Sequence, residues 1–259
     1  MKLDIGSYKP RRIAVIGAGI SGMGAAYLLS EANEVVLFEA ENRLGGHART
    51  VTAGRWGNQP VDTGFIVFNE LNYPNLMELF KELDVKIVKS NMTFGASFGG
   101  GKLEYGLASL NSLFAQRRNV FKPKFIRMLK DITRFNALAE SLSEDPGMTI
   151  DQLLIKIGTS SWFKEYYLFP LTGAIWSMPA EQMTNFPAKS LINFMKNHAL
   201  LSVSGQHQWL TLEGGSISYV EKLAEKMRFR NVEIRLGCPI RCVQRLAGSV
   251  KIETGAGLF

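Results

Sequence analysis

The sequence predicts an α/β fold. A Rossmann-like dinucleotide-binding domain is split along the chain, and a mostly helical α+β domain is inserted between its halves. Three observations predict it. A β-branched run leads into a glycine-rich turn, a helix and a second strand within the first 40 residues. A helix followed by strands returns at residues 212–259. Between the two, apolar residues at helical spacing dominate from about residue 107. The expected division is 1–70, 71–211 and 212–259.

The first element is "RRIAVIGAG", where Ile13 to Ile16 read as a short buried strand ending at Gly17. "ISGMGAAYLLSEA" reads as a helix with small residues on one side, and "EVVLFEA" as a second strand with Glu39 at its end. Strand, glycine turn, helix, strand and acid is the arrangement of a dinucleotide-binding βαβ unit. Gly17, Gly19 and Gly22 form G-x-G-x-x-G. Gly17 permits the tight turn, Gly19 leaves room for a diphosphate against the backbone, and Gly22 lets the helix lie close to the strands. The turn Gly17, Ala18, Gly19, Ile20, Ser21, Gly22 then offers the N–H groups of a helix start to an anion. Glu39, 22 residues after Gly17, is placed to accept hydrogen bonds from ribose hydroxyls. An acid there disfavours a 2′-phosphate.

Composition bounds the rest. The chain has 259 residues, 46% hydrophobic and 10% aromatic, which excludes a disordered protein. No apolar run reaches membrane-spanning length. The start "MKLDIGSYKPRR" has no apolar stretch, so no signal peptide is expected and the location is read as cytoplasmic. Cys238 and Cys242 have neither a zinc nor a redox spacing, and His47, His198 and His207 are scattered, so no metal site is expected. The net charge of +7 fits an anionic partner or an ordinary solvated surface.

After the second strand, "EAENRLGGHARTV" places Ala40, Arg43, Gly45, Gly46, His47 and Thr50 behind the acid. A nicotinamide dehydrogenase needs no second glycine pair here, whereas an extended FAD runs over such a loop. The stretch resembles the flavin-containing amine oxidase superfamily, whose pattern is E-A-x-x-R-x-G-G-R-x-x-[ST]. His47 stands where an arginine is usual, which shifts the resemblance towards a branch of NAD/FAD-binding oxidoreductases with a glutathione-reductase-like fold. "VDTGF" looks like the V-D-x-G segment that passes beside the flavin ring, with Asp62, Gly64 and Phe65 carrying the match. "LEGGSISYVEKLAEKM" resembles the helix that re-enters the FAD domain. "EIRLGCPIRCVQR" is similar to the strand pair after it, where the residue at the position of Ile240 meets adenine through its main chain. "FPLTGAIWSMP" and "NHALL" are similar to segments of the same branch.

The resemblance implies FAD as the cofactor. It implies an oxidoreductase that accepts a hydride onto flavin N5 from an apolar amine or lipid-like small molecule. It also implies that the C-terminal part of the FAD-binding domain is missing from this chain, because the family's domain continues beyond "SVKIETGAGLF". Two other readings stay open: an NAD-dependent dehydrogenase, against which "RLGGHART" stands, and a truncated, non-catalytic nucleotide-binding module. No nucleophile triad, paired carboxylate or Walker lysine is visible, and no catalytic side chain is assigned, as expected where a cofactor does the chemistry. The resemblance places the segments of Trp176, Asn197, His198 and Trp209 near the pocket.

In the insertion, "VKIVKSNMTFGASFGGGKLEYG" alternates like short strands. "PKFIRMLKDITRFNALAESLS" puts Phe125, Met128, Leu129, Ile132, Phe135, Ala139 and Leu142 on one helical face and Lys124, Arg127, Lys130 and Arg134 on the other. "DQLLIKIG", "SSWFKEYYLFPLTGAIW" and "AKSLINFMKNHALL" add apolar helices. Arg117, Arg118 and Lys122 extend the basic stretch over residues 117–134, with Phe114, Phe121 and Phe125 among the charges. A solvated helix face and peripheral contact with an anionic membrane, at its inner surface, both fit this pattern. No nucleic-acid recognition motif is present, and no such partner is expected.

Overall fold

A computed structural model describes residues 9–176, 179–202, 207–255 and 257–258. The leader reading of the first eight residues, and Ser177 and Met178 of "FPLTGAIWSMP", lie outside them. The chain divides into two compact units, one made of the stretch up to Ser90 and the stretch from Trp209 onward, the other of Asn91–Gln208.

The first unit opens with β1 (Arg12–Ile16), α1 (Ile20–Leu29) and β2 (Glu34–Phe38). β1 and β2 are parallel, Ile13 opposite Val35 and Ile16 opposite Phe38, as a βαβ unit requires. α1 buries Met23, Ala26 and Tyr27. It ends at Leu29, short of the expected end, because polar side chains take its last carbonyls. Ser30 Oγ donates to Tyr27 O at 2.7 Å and Asn33 Nδ2 to Leu29 O at 2.8 Å. The chain continues through an antiparallel hairpin, β3 (Thr50–Ala53) and β4 (Gln59–Asp62), then α2 (Pro74–Glu82) and β5 (Ile87–Ser90).

The inserted unit begins with the hairpin β6 (Gly95–Phe98) and β7 (Leu103–Gly106). Then come α3 (Leu110–Leu113), a 3-10 turn Arg117–Phe121 and α4 (Pro123–Leu142). After α5 (Ile150–Ile157), α6 (Ser161–Phe163) runs through a π-helical turn, Lys164–Leu168, into α7 (Phe169–Trp176), followed by α8 (Ala180–Met183) and α9 (Ala188–Asn197). The expected apolar face of α4 is the one that packs: Phe125, Met128, Phe135 and Ala139 are wholly buried. α5 starts at a capping box, with Thr149 Oγ1 accepting from Gln152 N and the Gln152 side chain accepting from Thr149 N. It stops at Gly158, in the left-handed region at φ 78°.

The chain returns to the first unit with β8 (Trp209–Leu212), antiparallel to β5, then α10 (Ile217–Phe229) and β9 (Glu233–Arg235). β9 joins β2 in parallel, giving the sheet order β1-β2-β9. A separate antiparallel sheet holds β10 (Ile240–Leu246), β11 (Ser249–Thr254) and β12 (Gly257–Leu258). The first boundary falls at Ser90 rather than at the expected residue 70. The physical reason is Phe80 on α2, which is wholly buried against Phe68 and Tyr219, with ring centroids 5.1 and 5.3 Å away. With β5 paired to β8, this keeps the α2–β5 segment in the first unit.

Candidate dinucleotide site

The glycine turn hands the chain from β1 to α1. Gly17 takes φ 92°, a conformation that glycine adopts without strain, and its N–H donates to Phe38 O at 2.8 Å. Gly22 has no room for a side chain: a Cβ there would lie 1.8 Å from Gly17 O. Gly19 differs. A Cβ built on it meets nothing within 4 Å, so its bare backbone borders open space. α1 starts there without a side-chain cap and without an acid in its first turn. Its first hydrogen bond of the α-helical kind runs from Met23 N to Gly19 O, so the N–H groups of Ile20, Ser21 and Gly22 precede the intrahelical ladder.

Glu39 sits one residue past β2 and turns its carboxylate back to this turn. Oε2 accepts the Ala18 N–H at 2.6 Å and Oε1 accepts the Glu41 N–H at 2.9 Å. Burial raises the carboxyl pKa, but the N–H donors of Glu41, Ala18 and Ala40, together with the Arg43 charge, outweigh it and hold the group below its ordinary value. The carboxylate is thus ionised and fixed at the end of β2, with acceptor capacity left for hydroxyl donors.

The second glycine pair packs directly on the first turn. Gly45 N donates to Ala18 O at 2.8 Å, and a Cβ on Gly46 would lie 3.0 Å from the Gly19 Cα. Gly64 is as tightly held, since a Cβ on it would lie 2.1 Å from His47 O. The same carbonyl accepts the Phe65 N–H at 3.3 Å. Three expected site segments are therefore brought into one layer by backbone lying on backbone, and His47 contributes to it through its main chain. Arg43 pairs with Glu41 at 2.8 Å.

Thr50 has another task. Its hydroxyl donates to Asp62 Oδ1 at 2.6 Å and accepts the Ile217 N–H at 3.0 Å. Asp62 also accepts from Ser216, at 2.9 and 3.0 Å from its N–H and 2.7 Å from its Oγ. Thr50, Asp62 and Ser216 thus staple the β3–β4 hairpin to the start of α10. Burial, with a smaller contribution from the Asp62 charge, pushes the Tyr219 hydroxyl in the same helix up to about 12. Ser216 is missed by sequence reasoning, because a serine after two glycines reads as turn. Its burial is the signal.

Ile240 opens β10 and packs with Val36, Phe38 and Ile252. The segment before it is pinned to the acid's strand end, Cys238 N donating to Glu39 O at 2.8 Å and Gly237 N to Glu41 O at 2.9 Å. A cleft of about 430 Å³ in this unit is lined by Arg43, Thr50, Glu221 and Arg228 among others, but by none of Gly17–Gly22 or Glu39. The open helix start, not this cleft, has the chemistry of an anion site. In the inserted unit Trp176 packs on Phe186 and Phe194, at 5.7 and 4.6 Å, and His198 stacks on Phe194 at 4.1 Å. Trp209 lies in the other unit. Among the described residues no cluster of potential metal ligands occurs, and no helix is long and apolar enough to cross a membrane.

Residues 15–83 match the family described as NAD(P)-binding Rossmann-like domain. The chain overlays cyclohexylamine oxidase from Brevibacterium oxydans with a TM-score of 0.70 at 20% identity, over 96% of this chain and 55% of that one. An L-amino-acid oxidase of Sistrurus catenatus edwardsii is 44% identical over 48 residues, 18% of this chain and 9% of that protein. The stretch at residues 15–83 is a dinucleotide-binding Rossmann-like domain, and the chain shares its fold with a solved amine oxidase. The chain is also similar to a coproporphyrinogen III oxidase of Mycobacterium bovis, 41% identical over 78 residues, 29% of this chain and 16% of that protein. The chain spans about half the length of the solved oxidase, 55%, and its matching stretches are 9% and 16% of the two curated relatives.

Proposed function

We propose that the chain binds FAD and serves an oxidase that acts on a small apolar amine or lipid-like molecule. One observation carries the reading: the start of α1 is open, uncapped and bordered by the side-chain-free Gly19, with an ionised carboxylate fixed beside it. A diphosphate with an adjoining ribose matches that donor and acceptor set. The N–H groups of Ile20, Ser21 and Gly22 would hold the diphosphate, and Glu39 the ribose hydroxyls. The fold we read is of the glutathione-reductase-like kind, in which the segment of Gly64 and Phe65 would border the flavin. Bound there, the flavin would supply hydride-acceptor redox chemistry. This chain's residues bind and orient it, and the Thr50–Asp62–Ser216 staple keeps the layer around Gly64 in register with α10. The relatives named above share the word oxidase, and one is named for an alicyclic amine.

The test is FAD titration of the purified chain by quenching of flavin fluorescence, followed by oxidation assays with aliphatic and alicyclic amines and with unsaturated lipids. Saturable binding at one site per chain supports the cofactor assignment. NADH binding with no FAD binding would favour the dehydrogenase reading. FAD binding with no turnover of either substrate class would favour the non-catalytic module.

A further inference from the structure

The inserted unit carries a surface that nucleotide binding does not use. From Tyr105 to Lys130 the sequence has six basic side chains, Arg117, Arg118, Lys122, Lys124, Arg127 and Lys130, and no acidic one. Among the described residues none of the six is in an ion pair. The same stretch leaves large apolar side chains in solvent: Phe121 is 86% and Leu110 76% exposed, and Leu107 and Val120 are exposed as well.

These side chains stand on a well-anchored loop. Gln116 Nε2 donates to Gly101 O at 2.7 Å, and its Oε1 accepts the Glu104 N–H at 3.2 Å. The buried Asn119 donates to Glu104 O at 3.1 Å. Arg117 reaches Asn111 Oδ1 at 2.6 Å, so α3 and the 3-10 turn lie side by side. Phe114 and Phe125 turn inward and meet edge to face at 6.0 Å. The fold thus buries Phe125, half-buries Phe114 against it and leaves Phe121 in solvent.

We propose that residues 107–130 dock the chain on the surface of an anionic lipid bilayer, with Phe121 and Leu110 inserted among the lipids and the basic side chains at the headgroups. Charge complementarity selects the occupant. Six cations against the neighbouring carboxylate of Glu104, which is bonded to Ser97 and Gln116, attract anionic headgroups, and exposed aliphatic side chains gain by burial in acyl chains. Single-stranded nucleic acid would use the cations and Phe121 for stacking, but has no use for Leu107, Leu110 and Val120.

The experiment is co-sedimentation of the full 259-residue chain with vesicles of phosphatidylcholine alone or mixed with phosphatidylglycerol, at low and high salt. The parent is expected to sediment with the mixed vesicles at low salt, and part of that binding is expected to survive high salt. A basic side chain near such a surface strengthens binding about fivefold, so Lys124→Glu, Arg127→Glu and Lys130→Glu together are expected to weaken it at least about 100-fold. Phe121→Ser with Leu110→Ser is expected to cut the salt-resistant part about tenfold. Both sets change exposed side chains, and an unaltered melting temperature shows that the fold is kept. Equal sedimentation with the two vesicle types, an unchanged triple charge reversal, or tighter binding to a single-stranded oligonucleotide than to the mixed vesicles would overturn the proposal.

Discussion

Two helices of the first unit begin under similar local rules and end up with opposite roles. α1 and α10 both follow glycine-containing turns, and in both the first N–H groups precede the intrahelical ladder. At α10 the protein answers them itself. Asp62 takes the Ser216 N–H, Thr50 takes the Ile217 N–H, and a negative charge lies against the positive end of the helix. At α1 no side-chain cap is made among the described residues, and Glu39 accepts the Ala18 and Glu41 N–H groups instead. An uncapped helix start forgoes about 1 kcal/mol of capping. The difference supports the proposed placement of the ligand. One helix start is satisfied internally and holds the unit together, while the other, under the proposed function, would receive the diphosphate.

Changes that crush the α1 turn should have the largest effect. Gly22→Ala would place a methyl 1.8 Å from a backbone carbonyl, so helix and strand must separate. Thermal and urea unfolding are expected to show a loss of at least about 3 kcal/mol. A variant as stable as the parent would mean that the close approach of α1 to β1 is not required.

Breaking the α10 staple should come next. Asp62→Ala removes the acceptor of Ser216 and Thr50 and is expected to destabilise by about 2–3 kcal/mol. FAD affinity, measured well below the melting temperature, is expected to change little. A large loss of affinity with little loss of stability would reverse the roles assigned to the two helix starts.

Glu39→Gln is a smaller change, because the side chain keeps one acceptor oxygen. FAD binding is expected to weaken by about 1–2 kcal/mol, visible as a shift in the titration midpoint. The pH dependence has a definite sign. The folded-state pKa of Glu39 lies below the ordinary value, so its carboxylate stabilises the fold above the unfolded pKa, and this is lost as pH falls through the folded one. The stability gap between parent and Glu39→Gln should therefore be present at neutral pH and close in acid. A gap that widens in acid would contradict the hydrogen-bonded, ionised carboxylate.

The same contrast explains what was legible in the sequence. The β1–α1–β2 unit was readable because a positive-φ turn and a helix packed on backbone require glycine at fixed spacing, and Gly17 and Gly22 leave that mark. Gly45, Gly46 and Gly64 were also visible, but much of their purpose is contact between backbone layers, which spacing cannot tell from contact with a ligand. Thr50 resembles a cofactor residue in its motif, yet its hydroxyl is used by Asp62 and Ile217, partners 12 and 167 positions away in sequence. Asp131 shows the same limit in the inserted unit. It lies buried on the apolar face of α4 because it accepts the Ser160 N–H at 2.9 Å, a partner that helical periodicity does not reveal. Contacts between distant segments leave little trace in local pattern.

The most direct measurement exchanges the roles of the two helix starts. Gly19 has φ −72°, and a Cβ there meets no atom within 4 Å. Gly19→Asp should therefore fold, cap α1 with its own carboxylate as Asp62 answers α10, and leave the apo protein equal in stability or more stable by a few tenths of a kcal/mol. It should also fill the place of the diphosphate with a like charge. FAD titration of parent and variant, with unfolding curves on the same samples, gives both readouts. The account predicts saturable binding to the parent and at least about 100-fold weaker binding to a fully folded Gly19→Asp. A folded Gly19→Asp that binds FAD as the parent does would contradict it.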